Sequence, residues 1–156
     1  MKQPKDVSTG LLRWCTRIGW DLLLILFSRP DATTAETNQH FHEWILEVER
    51  ELGTPDFRWA RILPRNEGEP PAGFFVLIGG LSSEDLASWR RRWCVISGAP
   101  RERSGSLYSQ TRDGRRMGSL LRSLLEQGDF DIEVRVGPRI ERPPHRRPTT
   151  EAPQSL

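Results

Sequence analysis

Two histidines, His40 and His42, are separated by a single residue, Phe41. On a β-strand, residues two apart point to the same face, and two imidazoles placed this way can hold one metal ion. These histidines lie in a segment whose apolar residues recur every three or four positions, which predicts a helix. Residues two apart on a helix are rotated by about 200° around its axis. The pair is therefore predicted to lie on a helix surface without binding a metal, and the sequence indicates no cofactor.

Side chains that could act as nucleophiles are few. Tyr108 is the only tyrosine of the chain, and a structural or base-stacking ring is the favoured interpretation over a catalytic phenol. Cys15 and Cys94 lack a ligand spacing such as CxxC. Their apolar surroundings favour buried free thiols, which are typical of a reducing cytoplasm, although a disulfide between them is a second interpretation.

Arginine is concentrated between Ser88 and Ser123, where nine arginines stand against two acidic residues. The guanidinium group presents a planar set of donors that suits phosphate, and a cluster of them would gain from counterion release on a nucleic-acid backbone. The alternative is a solvated basic face that pairs with acidic helix residues of a neighbouring protomer. The arginines predicted to bind nucleic acid are Arg90, Arg91, Arg92, Arg101, Arg103, Arg112, Arg115 and Arg116.

Apolar patterning predicts five strands and three helices around these residues. Thr33 and Glu36 match a capping box at the start of the first helix, and Gly53 marks its end. The predicted strands are residues 21–27, 57–63, 72–78, 106–110 and 132–136. The predicted helices are residues 34–52, a segment that begins near residue 82, and residues 115–127. This order predicts an α+β fold with a ferredoxin-like antiparallel sheet, made of a β-α-β-β-α-β core plus an extra helix and strand, with the helices packed on one face.

The chain of 156 residues, with six tryptophans, is long enough for one domain with a substantial core. We expect a flexible N-terminus at residues 1–10, a single domain at 11–137 and a disordered tail rich in Pro and Arg at 138–156. The longest apolar run, Leu22–Phe27, is far shorter than the about 20 residues needed to cross a bilayer. No signal peptide is recognisable, so a soluble cytoplasmic protein without a membrane partner is predicted.

The order of several short segments resembles the rolling-circle replication initiators, or HUH nucleases, over about residues 11–137. In that family an apolar strand comes first, a later strand reads His-hydrophobic-His before an apolar run and Gly-Gly, and a helix near the end carries a nucleophilic tyrosine. The matching segments here are residues 20–27, 49–53, 58–63 and 73–80, the positions Leu86, Trp89 and Gly98, and residues 107–108 followed by 112–125.

The resemblance also implies that the chemistry of the family has been lost. The two histidine positions are occupied by Gly73 and Phe75, which offer no lone pair to a metal. A third ligand would fall near Pro64, and the tyrosine near Leu120 or Leu124. We therefore expect a catalytically inactive descendant that binds nucleic acid, DNA in preference to RNA, and that regulates or assists a mobile element, plasmid or phage.

Two alternatives remain open at the level of sequence. The former active-site face around Phe75 would serve as a docking surface in a protein–protein or homodimer module. Alternatively, the chain would be an active DNA nickase with relocated catalytic residues, Tyr108 among them.

Overall fold

The computed structural model describes residues 10, 13–15, 17–64, 73–83, 87–101, 105–127 and 130–136. The elements, in chain order, are β1 (Leu22–Phe27), α1 (Thr34–Leu52), β2 (Gly53–Pro64), β3 (Gly73–Leu81), α2 (Ala87–Ser97), β4 (Gly105–Ser109), α3 (Gln110–Gln127) and β5 (Phe130–Arg135). Residues 13–15 and 17–18 are also helical and are called the N-terminal helix below. The predicted disordered tail at 138–156, and all of the predicted flexible N-terminus except Gly10, lie outside the described residues.

The five strands form one sheet in the order β4-β1-β3-β2-β5. Each neighbouring pair is antiparallel, with Leu24 of β1 aligned on Val76 of β3 and on Leu107 of β4. The predicted α+β fold with an antiparallel sheet is confirmed. β1 to β4, with α1 and α2 between them, form the predicted β-α-β-β-α-β core, and β5 extends the sheet along β2.

Helices cover both faces of the sheet. Leu22, Leu24 and Leu26 of β1 pack with α1 and α2, and we call this side the aromatic face because it also holds Phe41 and Trp93. Leu23 points the other way, to a second cluster formed by α3 and the N-terminal helix, which we call the α3 face. The prediction that all helices pack on one face is therefore wrong for α3. The physical reason is that β1 and β3 are apolar on both sides, so that each side needs a cover.

The first helix begins and ends as its sequence predicts. The backbone N–H of Glu36 donates to the Thr33 hydroxyl at 3.1 Å, and the Thr33 hydroxyl in turn donates to the Glu36 carboxylate at 3.1 Å, which completes a capping box. At the other end the backbone N–H of Gly53 donates to the carbonyl of Glu49. Gly53 is also the first residue of β2, so no loop separates α1 from the strand.

Other element boundaries differ from the prediction. β3 continues through Gly79 and Gly80 to Leu81 instead of stopping at the glycine pair. Gly80 has φ of +74°, and a Cβ there would lie 2.3 Å from the carbonyl oxygen of Asp56. Gly80 therefore allows the neighbouring strand β2 to approach closely, and Gly79 leaves space for the guanidinium of Arg58, where a tight turn had been expected. α3 begins at Gln110, five residues before the predicted start, with irregular backbone angles at Asp113.

Candidate nucleic-acid interface

Gly73 and Phe75, the positions that the resemblance assigns to a histidine pair, lie on the α3 side of the sheet. Phe75 is half-buried and packs in the same cluster as Leu120 and Leu124 of α3. The fold thus brings together the two positions that the resemblance marks as metal site and nucleophile. Phe75 is a packing residue there, so the geometry does not favour it as a docking surface.

A side chain at Gly73 would meet the ring of Phe27. A Cβ built on Gly73 lies 2.8 Å from two ring carbons of Phe27, which is on the paired position of β1. The ring fills the space that an imidazole at residue 73 would need. Among the described residues, no group of three His, Cys, Asp or Glu side chains is placed to hold a metal ion.

The two closely spaced histidines lie on α1, as predicted, and do not converge. Nε2 of His42 lies 3.1 Å from the carboxylate of Glu133 on β5. Nδ1 of His40 is buried and has no hydrogen-bond partner in the described part of the chain. The two histidines therefore lie in separate environments and do not face a common site.

The predicted arginines are divided between two sides of the molecule. Arg90, Arg91 and Arg92 lie on α2 and Arg101 follows it, whereas α3 carries Arg112, Arg115 and Arg116. Because α2 and α3 cover opposite faces of the sheet, the structure does not bring these residues onto one surface. Arg103 lies outside the described residues. The fold therefore does not place these arginines on a single arginine-rich face.

The arginines of the first group are partly engaged within the protein. Arg92 pairs with Glu47 of α1 at 3.0 Å, and its guanidinium lies 5.3 Å from the centre of the Trp89 ring. An acidic residue of α1 therefore pairs with this arginine within one molecule. Arg90, Arg91 and Arg101 line a cavity of about 210 Å³ together with Ala87 and Cys94.

The second group of arginines lies on the N-terminal part of α3. Asp113, an acidic residue among them, contacts the backbone there. Asp113 accepts a hydrogen bond from the backbone N–H of Ser109 at 3.0 Å and pairs with Arg112 at 3.3 Å. The hydrogen bond from Ser109, followed by the pairing with Arg112, lowers the pKa of the Asp113 carboxyl. Asp113 thereby neutralises Arg112 in part.

Two further arginines of this group are exposed. The guanidinium of Arg116 lies 5.7 Å from the centre of the Tyr108 ring, and Tyr108 is on β4, at one edge of the sheet. Arg115 has no ion-pair partner among the described residues. The helical backbone is interrupted at Asp113, so Arg115 and Arg116 lie in the first turn of the part that follows. The start of a helix disfavours nearby cations, so helix stability does not account for these side chains.

A second cavity, with a volume of about 480 Å³, lies on the α3 face and was not predicted from the sequence. Its wall includes Gly114 and Gly118 of α3, and a Cβ at Gly118 would meet no atom within 4 Å. Each glycine costs a helix about 1 kcal/mol relative to alanine. Two glycines four residues apart were therefore the available sequence signal for this feature.

Polar groups lie at one end of this cavity. Asp21 accepts a hydrogen bond from the backbone N–H of Leu81 at 3.2 Å. Arg58 donates to the carbonyls of Gly19 and Asp56 at 2.9 and 3.0 Å, and its guanidinium lies 5.7 Å from the centre of the Trp20 ring. Burial raises the pKa of the Cys15 thiol to about 12, so Cys15 contributes a neutral wall.

One arginine is buried within the aromatic face. Arg61 is 3% exposed, and its guanidinium lies 4.5 Å from the centre of the Phe41 ring. One nitrogen pairs with Glu133 at 3.1 Å, while Nε and Nη1 have no partner in the described residues. Burial lowers the pKa of Arg61, and the charge of Glu133 opposes that effect. This residue belongs to the core and not to the candidate interface.

Comparisons with known proteins give no relative from which a function could be carried over. The chain matches no protein-family model, no curated protein and no solved structure. In the described part of the chain, none of the helices combines the length and the apolar character needed to cross a membrane.

Proposed function

We propose that this chain is a catalytically inactive, initiator-like domain that binds nucleic acid, DNA in preference to RNA, through the N-terminal part of α3 and the adjoining strand β4. The observation that carries the proposal is the contact of Arg116 with Tyr108 beside the exposed Arg115. A ring at a sheet edge with cations around it is the combination by which many proteins hold single strands, the ring stacking on bases and the cations tracking phosphates.

The α3 group supports this role better than the α2 group. Arg92 is already paired with Glu47 at 3.0 Å, whereas Arg116 acts on the Asp113 carboxylate through its charge alone and Arg115 is exposed. Backbone N–H groups at the beginning of a helix also favour a phosphate. The cavity lined by Arg90, Arg91 and Arg101 would at most contribute a second, separate phosphate contact.

The inactive part of the proposal rests on the α3 face. Gly73, Phe75, Leu120 and Leu124 occupy the positions that would carry metal ligands and nucleophile, and the Phe27 ring fills the space next to Gly73. Such a domain would keep the strand-binding property and would act in regulating or assisting a mobile element, plasmid or phage.

The test is binding of a labelled single-stranded oligonucleotide by fluorescence anisotropy at several salt concentrations. We expect the double variant Arg115→Glu/Arg116→Glu to lose at least about 10-fold in affinity and to show a shallower salt slope, because each lost phosphate contact lowers the slope by about one. The matched control is Arg122→Glu, an exposed arginine further along the same helix. Equal affinity of the double variant and the control, or binding that does not respond to salt, would refute the proposal.

A further inference from the structure

We propose that the 480 Å³ cavity on the α3 face is a pocket for a single purine base. This inference rests on the proposed function, because the base would belong to a strand held at Arg115 and Arg116. The same pocket chemistry would also fit the base of a free nucleotide, and the experiment below separates the two sources.

The size and the apolar wall of the cavity suit a flat aromatic ligand. Small-molecule sites have volumes of about 300–1,000 Å³, and the cavity lies within this range. Leu77 of β3 and Met117 and Leu121 of α3 form the apolar part of its lining. Aliphatic side chains and a thioether make favourable contacts with aromatic rings.

The polar part of the lining supplies donors and acceptors for the edge of a base. The Trp20 side chain is 6% exposed, and among the described residues its buried Nε1–H faces only the sulfur of Cys15, which is a weak acceptor. A carboxylate has about four lone-pair sites, and the described contacts of Asp21 use one of them, for Leu81. Gln110 adds an amide, whose nitrogen lies 2.9 Å from the place of a Gly114 Cβ. A carboxylate accepts from two adjacent N–H groups, so that guanine, with N1–H and N2–H₂, fits better than adenine.

Arg58 supplies charge beside the cavity. Within the described residues, its nitrogens donate to the backbone carbonyls of Ile18, Gly19 and Asp56, and no carboxylate pairs with it. Its positive charge is therefore available to a phosphate attached to a bound nucleoside.

The helix that carries the arginines also leaves the space open. Gly114 and Gly118 line the cavity, and Arg115 follows Gly114 directly in sequence. A strand that contacts Arg115 thus passes within one residue of the cavity wall. The pocket is linked to the bound strand because Arg115 lies next to the glycine surface of α3 that lines the cavity.

The experiment uses the full chain and calorimetric titration with three probes. These are a thymine oligonucleotide, the same oligonucleotide with one central guanine, and guanosine monophosphate. We expect the single guanine to raise affinity at least about 10-fold. Gly118→Leu fills the cavity from a position where a Cβ meets no atom within 4 Å, and it should abolish that gain. Ser123→Leu, which adds the same bulk at an exposed position of α3, should retain it, and Asp21→Asn should reduce it without filling the cavity.

The outcomes separate this inference from the proposed function. Equal binding of both oligonucleotides, unchanged in Gly118→Leu, would overturn the pocket and leave the proposed function standing. Binding of guanosine monophosphate that is lost in Gly118→Leu, with no binding of either oligonucleotide, would retain a nucleotide pocket and overturn strand binding. Absence of binding to all three probes would overturn both.

Discussion

The two faces of the sheet are packed in different ways. On the aromatic face, the rings of Phe41, Trp44, Phe74 and Trp93 are fully buried and meet mostly edge to face, with centroids 5.6 to 6.3 Å apart. On the α3 face, a cavity of about 480 Å³ lies between an apolar wall, which includes Leu77 and Leu121, and a polar wall, which includes Asp21 and Arg58. The comparison teaches that close packing of rings makes the aromatic face a main source of stability, while the α3 face keeps room that packing alone would not leave.

The largest effect is expected from removing a ring on the aromatic face. Trp93→Ala should lower the free energy of unfolding by about 3–5 kcal/mol, because it leaves a large cavity and removes the hydrogen bond from Trp93 Nε1 to the carbonyl of Phe27. Urea denaturation followed by circular dichroism measures this. Val95→Ala, at an 81% exposed position of the same helix, should change stability by less than about 0.5 kcal/mol. Similar losses in both variants would contradict the assignment of stability to this face.

The second prediction concerns the ion pair of Arg61 and Glu133, and asks whether a buried charge stabilises the aromatic face. Glu133→Gln should destabilise the protein by about 1–2 kcal/mol, a figure discounted for the 40% exposure of Glu133, because the Arg61 guanidinium would stay buried without its counterion. Arg61→Met keeps the volume and removes the charge, so its free energy of unfolding should stay near that of the wild type or rise. Chemical denaturation compares the two variants. If Arg61→Met were more destabilising than Glu133→Gln, the prediction would be wrong and the ion pair would be a net source of stability.

On the α3 face a substitution that adds atoms should stabilise the protein. Gly118→Ala should raise the free energy of unfolding by about 0.5–1 kcal/mol, because alanine has the higher helix propensity and the added Cβ meets no atom within 4 Å. Thermal denaturation measures the shift. The control is Gly105→Ala, where φ is +122° and a Cβ would lie 1.6 Å from the carbonyl oxygen of Ile25, so stability should fall. A loss at Gly118 would mean that the cavity is not open there.

The last effect is absent at neutral pH and develops only at alkaline pH. Burial raises the pKa of the Cys15 thiol to about 12 in the folded protein, against 9.0 for a thiol in water, so the unfolded chain loses its proton first. The thiol's contribution to stability is therefore complete below pH 9 and declines as pH rises from 9 to 12. Cys15→Ala should flatten this part of the stability profile, measured by urea denaturation at several pH values. An unchanged slope in the variant would assign the decline to other groups.

Local signals in the sequence predicted the elements well. The capping box of Thr33 and Glu36 needs only four neighbouring residues, and it was read correctly. The alternation that put Phe57, Trp59 and Arg61 on one side of β2 is also found, with all three buried. The rings that surround Arg61 come from α1 and β3, so no pattern within β2 could identify them.

The candidate site was harder to predict because it depends on how the chain crosses the sheet. Arg92 and Arg112 are close in sequence, but β4 runs between them along the sheet edge, and α2 and α3 then pack on opposite faces. The path of the chain along β4 determines which face of the sheet α3 covers, and the residues of the helix do not. The cavity left a signal in Gly114 and Gly118, whereas its polar wall combines Asp21, Arg58 and Gln110 from three distant parts of the sequence.

The junction between β4 and α3 has a mechanical consequence. Ser109 ends the strand and Gln110 begins the helix, so no hinge residue separates them. The backbone N–H of Gln110 is moreover anchored to the carbonyl of Asp21 at 2.8 Å. A ligand that displaces the start of α3 must therefore also move β4. Because Tyr108 lies on β4, a change in the surroundings of its ring would report that movement.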